Sequence, residues 1–312
     1  LYEIDREIYD IKLSTNLTAD ISTYMGSVCD ESLVKHIFRH ENIDTVYHAA
    51  ANKHVPLVEH NPLSAIKNNI IGTHTVATEA YKHNVENFVL VSSDKAVRPT
   101  NIMGATKRFA ELILQSLQDI VDDMSSNKCK TKYCMVRFGN VLDTSGSVVP
   151  LFKKQISEGG PITLTDSKVI RYFMTIPEAA NLVIQASVLS EGGEVFLLDM
   201  GEPVNIKSLA EQMIRLSGLT IKDKSNPNGD IEIKIIGLRP GEKLYEELLI
   251  SNTASNTSHE LIYKANDDFL ELEELLPHLD QLHDYIELQL EEKSLEKISE
   301  LLPEWSRYSF NS

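Results

Sequence analysis

Short apolar runs alternate with longer amphipathic stretches between residues 42 and 141. The apolar runs read "DTVYHAAA", "NFVLVSS" and "KYCMVRFGNV", and the stretches between them carry apolar residues at helical spacing. Parallel strands need helical crossovers and are buried on both faces, so this alternation predicts βαβ units in an α/β fold with a doubly wound parallel sheet. We expect strands near residues 45–50, 88–93 and 132–138, and helices over residues 63–83 and 105–118.

Three segments before these units also have recognisable patterns. The opening "LYEIDREIYDI" has apolar residues at helical spacing and predicts a helix. The segment "STYMGSVCD" predicts a strand that enters a turn, and Glu31–His40 predict a helix. These segments extend the alternation toward the beginning of the chain.

The second half of the chain has a different sequence pattern. After "RFGNV", glycine and proline interrupt the sequence, as in "EGGPITL" and "GLRPGEKLYEELL", which predicts a smaller mixed α/β domain. Residues 177–200 predict a helix and a strand that return to the first sheet. Residues 270–302 predict a helical tail with a solvated acidic face. We therefore expect one domain over residues 1–140 and a second mainly over residues 141–312.

The charge balance restricts the class of partner. Acidic side chains outnumber basic ones by 46 to 30, which gives a net charge of −16 and argues against nucleic acid as a partner. An odd count of three cysteines argues against a disulfide framework and favours a reducing compartment such as the cytoplasm. No apolar run in this chain approaches the roughly 18–20 residues of a membrane span, and its histidines predict no metal site.

A glycine-rich loop is missing from the pattern. Doubly wound sheets that bind a dinucleotide normally carry G-x-G-x-x-G after their first strand, and this chain has no such motif before residue 100. Either the protein binds no dinucleotide, or the first strand and its loop precede the chain. We favour the second interpretation, because the chain opens inside an apparent helix and because of the motifs described next.

Polar residues with acid and base chemistry follow the second predicted strand. Ser93, Asp94 and Lys95 come directly after its apolar run, at the sheet edge where catalytic groups collect in open α/β folds. A carboxyl and an amine side by side can serve as general acid and general base, although an isolated pair of this kind also fits a solvated loop. Lys107 follows Met103 by four residues, one turn along a predicted helix.

These motifs occur in an order that is typical of one family. The stretches "HAAANKHVPLVEHNPLSAIKNNIIGTHTVATEA", "VLVSSDKAVRPTNIMGATKR", "VRFGNVLDTSGSVVPLF", "ITLTDSKVIRYFMTIPEAA" and "GLRPGEKLYEELL" closely resemble bacterial nucleotide-sugar 4,6-dehydratases of polysaccharide and glycan biosynthesis. These are extended short-chain dehydrogenases that act on UDP-N-acetylglucosamine. The resemblance covers residues 1 to about 265, and it implies a Rossmann-type dinucleotide-binding domain followed by a substrate-binding domain.

The resemblance implies a reaction and roles for the polar residues. A tightly bound NAD or NADP would oxidise C4 of the sugar, water would be eliminated across C5 and C6, and hydride would return to C6. Lys95 would remove the C5 proton and Asp94 would protonate the departing hydroxyl.

The expected catalytic tyrosine is replaced by Met103, as in the longer, membrane-anchored members of this group, and Lys107 keeps its place four residues later. Methionine cannot ionise. The O4 proton would therefore leave through Ser93, a water or Lys95, and the sequence does not decide among them.

The resemblance also implies binding residues and an assembly. The cofactor-binding residues would be Asp30, Ala49, Ala50, Ala51, Lys53, Ser92 and Lys107. The residues that bind the UDP-sugar would be Asn140, Val141, Arg171, Arg239 and Glu242. We expect a homo-oligomer, either a dimer through a four-helix bundle or a higher assembly, built on the helices after Ile70 and Gly104. The location would be the cytoplasm, or the cytoplasmic face of the inner membrane through an upstream membrane region.

Two other functions stay open. A nucleotide-sugar 4-epimerase would share the oxidation at C4, but it would usually keep the tyrosine and lack the Asp94–Lys95 pair. A non-catalytic protein that binds sugar nucleotides would explain both the absent glycine-rich loop and Met103.

Overall fold

Helices and strands alternate through most of the chain in the computed structural model, which describes residues 2–15, 18–123, 129–246, 254–267 and 269–305. The helices are α1 (Tyr2–Thr15), α2 (Glu31–His40), α3 (Val55–Glu59), α4 (Pro62–Ile66), α5 (Gly72–Lys82), α6 (Ile102–Asp123), α7 (Val148–Ser157), α8 (Ile176–Leu189), α9 (Ile206–Leu216), α10 (Leu272–Glu287) and α11 (Glu291–Leu301). A π-helical turn (Lys67–Ile71) joins α4 to α5, and Asp94–Ala96 form a 3-10 turn.

The strands are β1 (Thr45–His48), β2 (Asn87–Val91), β3 (Lys132–Arg137), β4 (Asn140–Val141), β5 (Ile162–Leu164), β6 (Ile170–Arg171), β7 (Phe173–Met174), β8 (Val195–Leu198), β9 (Val204–Asn205), β10 (Ile221–Lys222), β11 (Ile231–Ile235), β12 (Ser255–Asn256) and β13 (Ile262–Ala265).

The main sheet has six strands in the order β1-β2-β3-β8-β13-β12. The first four strands are parallel to one another, whereas β13 is antiparallel to both β8 and β12. The register places Val46 opposite Phe88, and Phe88 opposite Tyr133. The predicted α/β fold with a parallel sheet is confirmed, and β8 returns to this sheet after α8. The antiparallel pair at the far edge was not predicted.

Each central strand contributes to two hydrophobic cores. In β2, Phe88 and Leu90 lie in the core on one face, while Val89 lies in the core on the other. Tyr133 and Cys134 divide in the same way in β3. Successive side chains of a strand point to opposite faces, so runs that are apolar at every position are the ones that a sheet with both faces covered requires.

The central strands end earlier than the sequence predicts. The last pair between β1 and β2 joins His48 to Leu90, and the last pair between β2 and β3 joins Val91 to Val136. Residues 49–51 and 92–93 therefore lie beyond the ladders, in loops at the carboxyl edge of the sheet. The strands β1 and β2 end two residues early and β3 ends one residue early, which places these side chains at the mouth of the sheet.

The predicted strand in "STYMGSVCD" is wrong. Residues 22–30 contain no strand in the structure, and Met25 is 85% exposed. The segment closes with a turn in which the Asp30 amide donates to the carbonyl of Ser27. A strand needs a neighbouring strand for its backbone hydrogen bonds, and local β-propensity does not supply one.

A second, smaller sheet lies after the main βαβ units. Its three parallel strands have the order β10-β11-β5, and α7 and α9 cover it. Phe152, Ile162, Ile214 and Ile231 form its core. The boundary at residue 140 stays a prediction, and later strands and helices also pack against elements from the first 140 residues.

The C-terminal helices α10 and α11 pack against α6. The predicted helical tail is two helices, because the chain leaves helical geometry around Gln289, whose φ is 56°. Leu282 and Ile298 have no exposed surface and belong to the same core as α6. The outer face of these two helices is acidic, and their inner face packs into the main hydrophobic core.

This packing bears on the predicted assembly. The apolar surface of α6 suggested a partner subunit, but residues 102–118 are buried within the chain itself. The homo-oligomer stays a prediction. Within the described ranges, no helix combines the length and the hydrophobicity that a membrane span requires.

Candidate active site

Two adjoining cavities open at the carboxyl edge of the main sheet. The strand-end cavity is lined by residues that include Ala49, Ala51, Ser92, Met103 and Lys107. The Arg171 cavity is lined by residues that include Thr165, Arg171, Arg239, Glu242 and Glu246. Both cavities share Lys53, His54, Lys95, Asn140, Gly146 and Ser147. Lys95 therefore stands where the two cavities meet.

Asp94 and Lys95 form an ion pair at the end of β2. The Lys95 Nζ donates to Asp94 Oδ1 at 2.8 Å, and Ser93 Oγ donates to the same oxygen at 2.9 Å. Asp94 Oδ2 is buried and has no hydrogen-bond partner. Burial opposes a charge on the Lys95 amine, but the nearby carboxyls of Asp94 and Glu246 outweigh burial and raise the pKa of Lys95. The pair rests as an ion pair with one carboxylate oxygen unused.

Backbone contacts fix this pair in place. The amide of Asp94 donates to the carbonyl of Phe138 at 3.0 Å, which ties the β2 loop to the β3 loop. The backbone of α6 approaches from the other side at Gly104, where a Cβ atom would lie 2.2 Å from the Lys95 carbonyl oxygen. Any other residue at position 104 would displace the turn that carries the ion pair. Glycine is therefore required here by close approach.

Met103 and Lys107 lie one turn apart on α6 and both face the strand-end cavity. Met103 is only 3% exposed and belongs to the main hydrophobic core. Lys107 Nζ donates to the carbonyl of Val91 at 2.5 Å, and burial lowers the pKa of Lys107 to about 8. Methionine at this position offers packing surface but no ionisable proton.

Ser92 rests on a buried ionic network. Its Oγ donates to Glu111 Oε1 at 2.5 Å, and the same carboxylate receives Arg137 Nε at 2.8 Å. Arg137 also donates to Asp267, which follows β13. Arg108 completes the network at 3.2 Å from Glu111. The network positions the end of β2 and does not itself face either cavity.

The π-helical turn holds the loop after β1, and the sequence reasoning missed this feature. Asn69 Oδ1 accepts from the Asn52 amide at 2.7 Å, and its Nδ2 donates back to the Asn52 carbonyl at 3.1 Å. Asn68 Nδ2 donates to the carbonyl of Ala50 at 2.6 Å. Two adjacent asparagines in a helical stretch were the available signal, because such side chains compete for backbone groups. π-turns are frequent at functional sites.

The substrate residues named from the resemblance lie in or beside the Arg171 cavity. Asn140 and Val141 follow β3, and Asn140 Oδ1 is buried without a partner. The Arg171 guanidinium donates to the carbonyls of Ile170, Leu244 and Lys243, so three of its hydrogen bonds go to backbone. Glu242 accepts from Thr165 Oγ1 and from the Arg239 amide. Val141 faces the strand-end cavity instead.

Two of the named cofactor residues lie outside both cavity linings. Asp30 is the N-cap of α2, where its side chain accepts from the Leu33 amide at 3.0 Å. Ala50 points its carbonyl at Asn68, while Ala49 and Ala51 on either side line the strand-end cavity. The structure thus brings together Ala49, Ala51, Lys53, Ser92 and Lys107, but not Asp30 or Ala50.

Glu246 is a site residue that the sequence reasoning did not select. It lies within the quoted "GEKLYEELL" motif, lines the Arg171 cavity and is close enough to Lys95 and Arg171 for electrostatic attraction. Burial raises the pKa of Glu246, against the effect of Lys95. The motif alone gave no reason to prefer this glutamate over its neighbours. Residues 247–249 of the motif lie outside the described residues.

The fold and the site define an extended short-chain dehydrogenase/reductase of the Rossmann type. The sequence matches the family described as polysaccharide biosynthesis protein over residues 1–267, and the chain belongs to this family. It is 54% identical over 224 residues to the capsular polysaccharide biosynthesis protein CapD of Staphylococcus aureus. That match covers 72% of this chain and 35% of CapD, so the chain spans about a third of that relative.

A second relative has a more specific name. The chain is 34% identical over 238 residues to UDP-N-acetylglucosamine 4,6-dehydratase (inverting) of Campylobacter jejuni, which covers 76% of this chain and 64% of that protein. The resemblance inferred from the motifs is confirmed at the level of the family.

Solved structures share the fold. The X-ray structure of Pen from Bacillus thuringiensis has a TM-score of 0.72 and 34% identity, covering 86% of this chain and 80% of that chain. The UDP-glucose 4-epimerase of Thermus thermophilus, solved as a complex with NAD, has a TM-score of 0.60 and 19% identity, covering 73% of this chain and 76% of that chain. The second likeness shows the fold alone.

Proposed function

We propose that the chain is the catalytic part of an NAD(P)-dependent UDP-N-acetylglucosamine 4,6-dehydratase. The observation that carries this proposal is the Asp94–Lys95 ion pair, held at 2.8 Å where the two cavities meet. Elimination of water needs an acid and a base on one substrate, and an adjacent carboxyl and amine supply both. The relationship to the Campylobacter jejuni dehydratase supports the choice of reaction and sugar.

The strand-end cavity suits the nicotinamide half of a dinucleotide. Ala49 and Ala51 are small, so a flat ring can approach the end of β1, and Lys107 presents a cationic donor beside them. Lys53 and Ser92 would complete the polar contacts. A bound NAD(P) would supply reversible hydride transfer. The same fold holds NAD in the Thermus thermophilus epimerase.

The Arg171 cavity would hold the UDP-sugar. Arg239 lines it, and Arg171 orders its wall through backbone carbonyls. Arginine suits phosphate oxygens because its planar fork donates two parallel hydrogen bonds. The sugar would then lie at the shared boundary, between Lys95 and the strand-end cavity. Asn140 offers a buried, unused amide oxygen at this boundary.

The polar residues would act in a defined order. Once C4 is a ketone, the C5 hydrogen is acidic, and Lys95 would take that proton as a neutral amine. Asp94 would give its proton to O6, which leaves as water and creates a C5–C6 double bond. The pair must therefore hold its single proton on Asp94 at the moment of elimination.

Mass spectrometry tests the proposal. The full-length gene product, incubated with UDP-N-acetylglucosamine, should yield a UDP-sugar lighter by one water, with a solvent deuteron at C5 when the reaction runs in D2O. A 4-epimerase would give a product of unchanged mass with no deuterium at C5. Binding of the UDP-sugar without conversion would indicate a non-catalytic protein and would overturn the proposal.

A further inference from the structure

Glu246 is a buried carboxyl that the proposed mechanism does not yet use. Its side chain is only 5% exposed, and Oε2 has no hydrogen-bond partner. The nearest cation measured from its carboxylate is Arg171, whose Nη2 lies 3.8 Å from Oε1, beyond hydrogen-bonding distance. Arg171 directs its donors to the carbonyls of residues 170, 243 and 244 instead. Oε2 is therefore buried without a hydrogen bond that would stabilise its charge, and Oε1 has only the longer ion pair with Arg171.

Burial makes the charged form of this carboxyl less favourable than it is in water. An ionised oxygen that is buried without hydrogen bonds is strongly penalised, and burial raises the pKa of Glu246. The charged and titratable groups that face it are Asp94, Lys95, Arg171 and Lys243. Asp94 adds to the effect of burial, whereas the three cations oppose it. Lys243 is committed elsewhere, because its Nζ donates to the carbonyls of Val97 and Arg98.

The charge on Glu246 affects the proton of the catalytic pair. A carboxylate at this position attracts a cation on Lys95, and Glu246 is among the groups that raise the pKa of Lys95. The elimination step needs the opposite state, a neutral Lys95 beside a protonated Asp94. A neutral Glu246 does not attract the ammonium of Lys95, so the proton is held less strongly on this lysine.

We propose that Glu246 is a positioning residue that acts as a neutral carboxylic acid beside Lys95 and lets the shared proton move onto Asp94. This inference rests on the proposed dehydratase function. Ionisation of Glu246 at alkaline pH would hold the pair as Asp94 carboxylate and Lys95 ammonium, and turnover would fall. Glu246 thus sets the alkaline limit of activity without touching the reacting atoms.

Two conservative variants of the full-length protein separate this role from a structural one. Glu246→Gln mimics the neutral acid and cannot ionise, so its kcat should no longer fall through ionisation of this group at alkaline pH. Its alkaline limb should move up by about one pH unit or more. Glu246→Asp keeps an ionisable acid and should keep an alkaline limb. An alkaline limb that does not move in the Gln variant would overturn the proposal.

A measurement without turnover distinguishes failure of this inference from failure of the proposed function. Infrared difference spectra of wild type minus Glu246→Gln should show the carbonyl stretch of a protonated carboxyl at neutral pH, which disappears at alkaline pH. Absence of that band would overturn the neutral-acid role whether or not the enzyme turns over. A wild type that shows the band but never dehydrates the UDP-sugar would instead refute the proposed function.

Discussion

Nη2 of Arg137 lies 2.5 Å from Oε2 of Glu111 in the interior, where neither side chain has exposed surface. Asp267 meets the same nitrogen at 2.6 Å. The pair joins β3 to α6, and Asp267 adds the segment after β13. Three distant parts of the chain therefore share one buried charge network beneath Ser92.

Removing one member of this network should destabilise the fold strongly. We expect Glu111→Ala to lower the free energy of unfolding by about 3–5 kcal/mol, because it leaves the Arg137 charge buried with fewer partners. Urea denaturation followed by circular dichroism measures the change. The exposed pair Lys153–Asp143 provides the control, and Lys153→Ala should cost under about 1 kcal/mol. An equal loss of unfolding free energy in the two variants would contradict the role given to burial.

Lys95 should be required for chemistry but not for binding. Lys95→Ala or Lys95→Met should lower turnover by roughly 10²- to 10⁴-fold, because the base for the C5 proton is lost. UDP-sugar affinity, measured by calorimetry, should stay within about tenfold. A variant that keeps more than about a tenth of wild-type turnover would exclude Lys95 as the base.

Met103 should contribute packing alone. Met103→Leu conserves the volume of a side chain that is 3% exposed, so it should cost under about 1.5 kcal/mol of stability and keep most activity. Met103→Tyr should bring no large gain if the O4 proton leaves by another route. A rise in turnover above about tenfold for the tyrosine variant would show that the site lacks an acid–base group there. Steady-state rates on both variants decide the matter.

His48 should make stability depend on pH. Burial lowers the pKa of His48 to about 4, and its Nε2 lies 3.0 Å from Thr73 Oγ1. The unfolded chain therefore binds a proton that the folded chain resists, so the contribution is fully present above about pH 6.5 and is lost as the pH falls toward 4. The loss should reach at most about 3 kcal/mol. Urea unfolding of His48→Gln between pH 7 and pH 4 should show a flatter profile, and parallel profiles would refute this.

The C-terminal helices should contribute to the stability of the whole fold. Leu282 has no exposed surface against the α6 core, so Leu282→Ala should cost about 2–5 kcal/mol. Leu288 directly follows the same helix and is 67% exposed, and Leu288→Ala should change stability by under about 0.5 kcal/mol. If thermal unfolding shifts equally in both variants, α10 is not part of the cooperative core.

The sequence predicted the structural features that a local pattern of residues encodes. Periodicity identified the central strands and α6, and the position of Asp94–Lys95 directly after β2 predicted its place at the sheet edge. Contacts between residues far apart in sequence left no local signal. Glu246 and Lys95 line the same cavity although 151 positions separate them in sequence, and α6 is covered in part by helices that begin at residue 272. The apolar face of α6 could be recognised in the sequence. The helices α10 and α11 that cover it could not be assigned to that face from the sequence.

The π-helical turn at residues 67–71 accommodates extra length between α4 and α5. Each residue of an α-helix adds about 100° of rotation, and this turn absorbs the mismatch between α4 and α5. Deleting one residue there would return the turn to α-helical geometry with little rotation of α5, so Val76, Ala77 and Ala80 should stay in the core. Asn68 and Asn69 would instead lose their contacts with Ala50 and Asn52, so the length of this segment matters for the loop after β1 more than for the core.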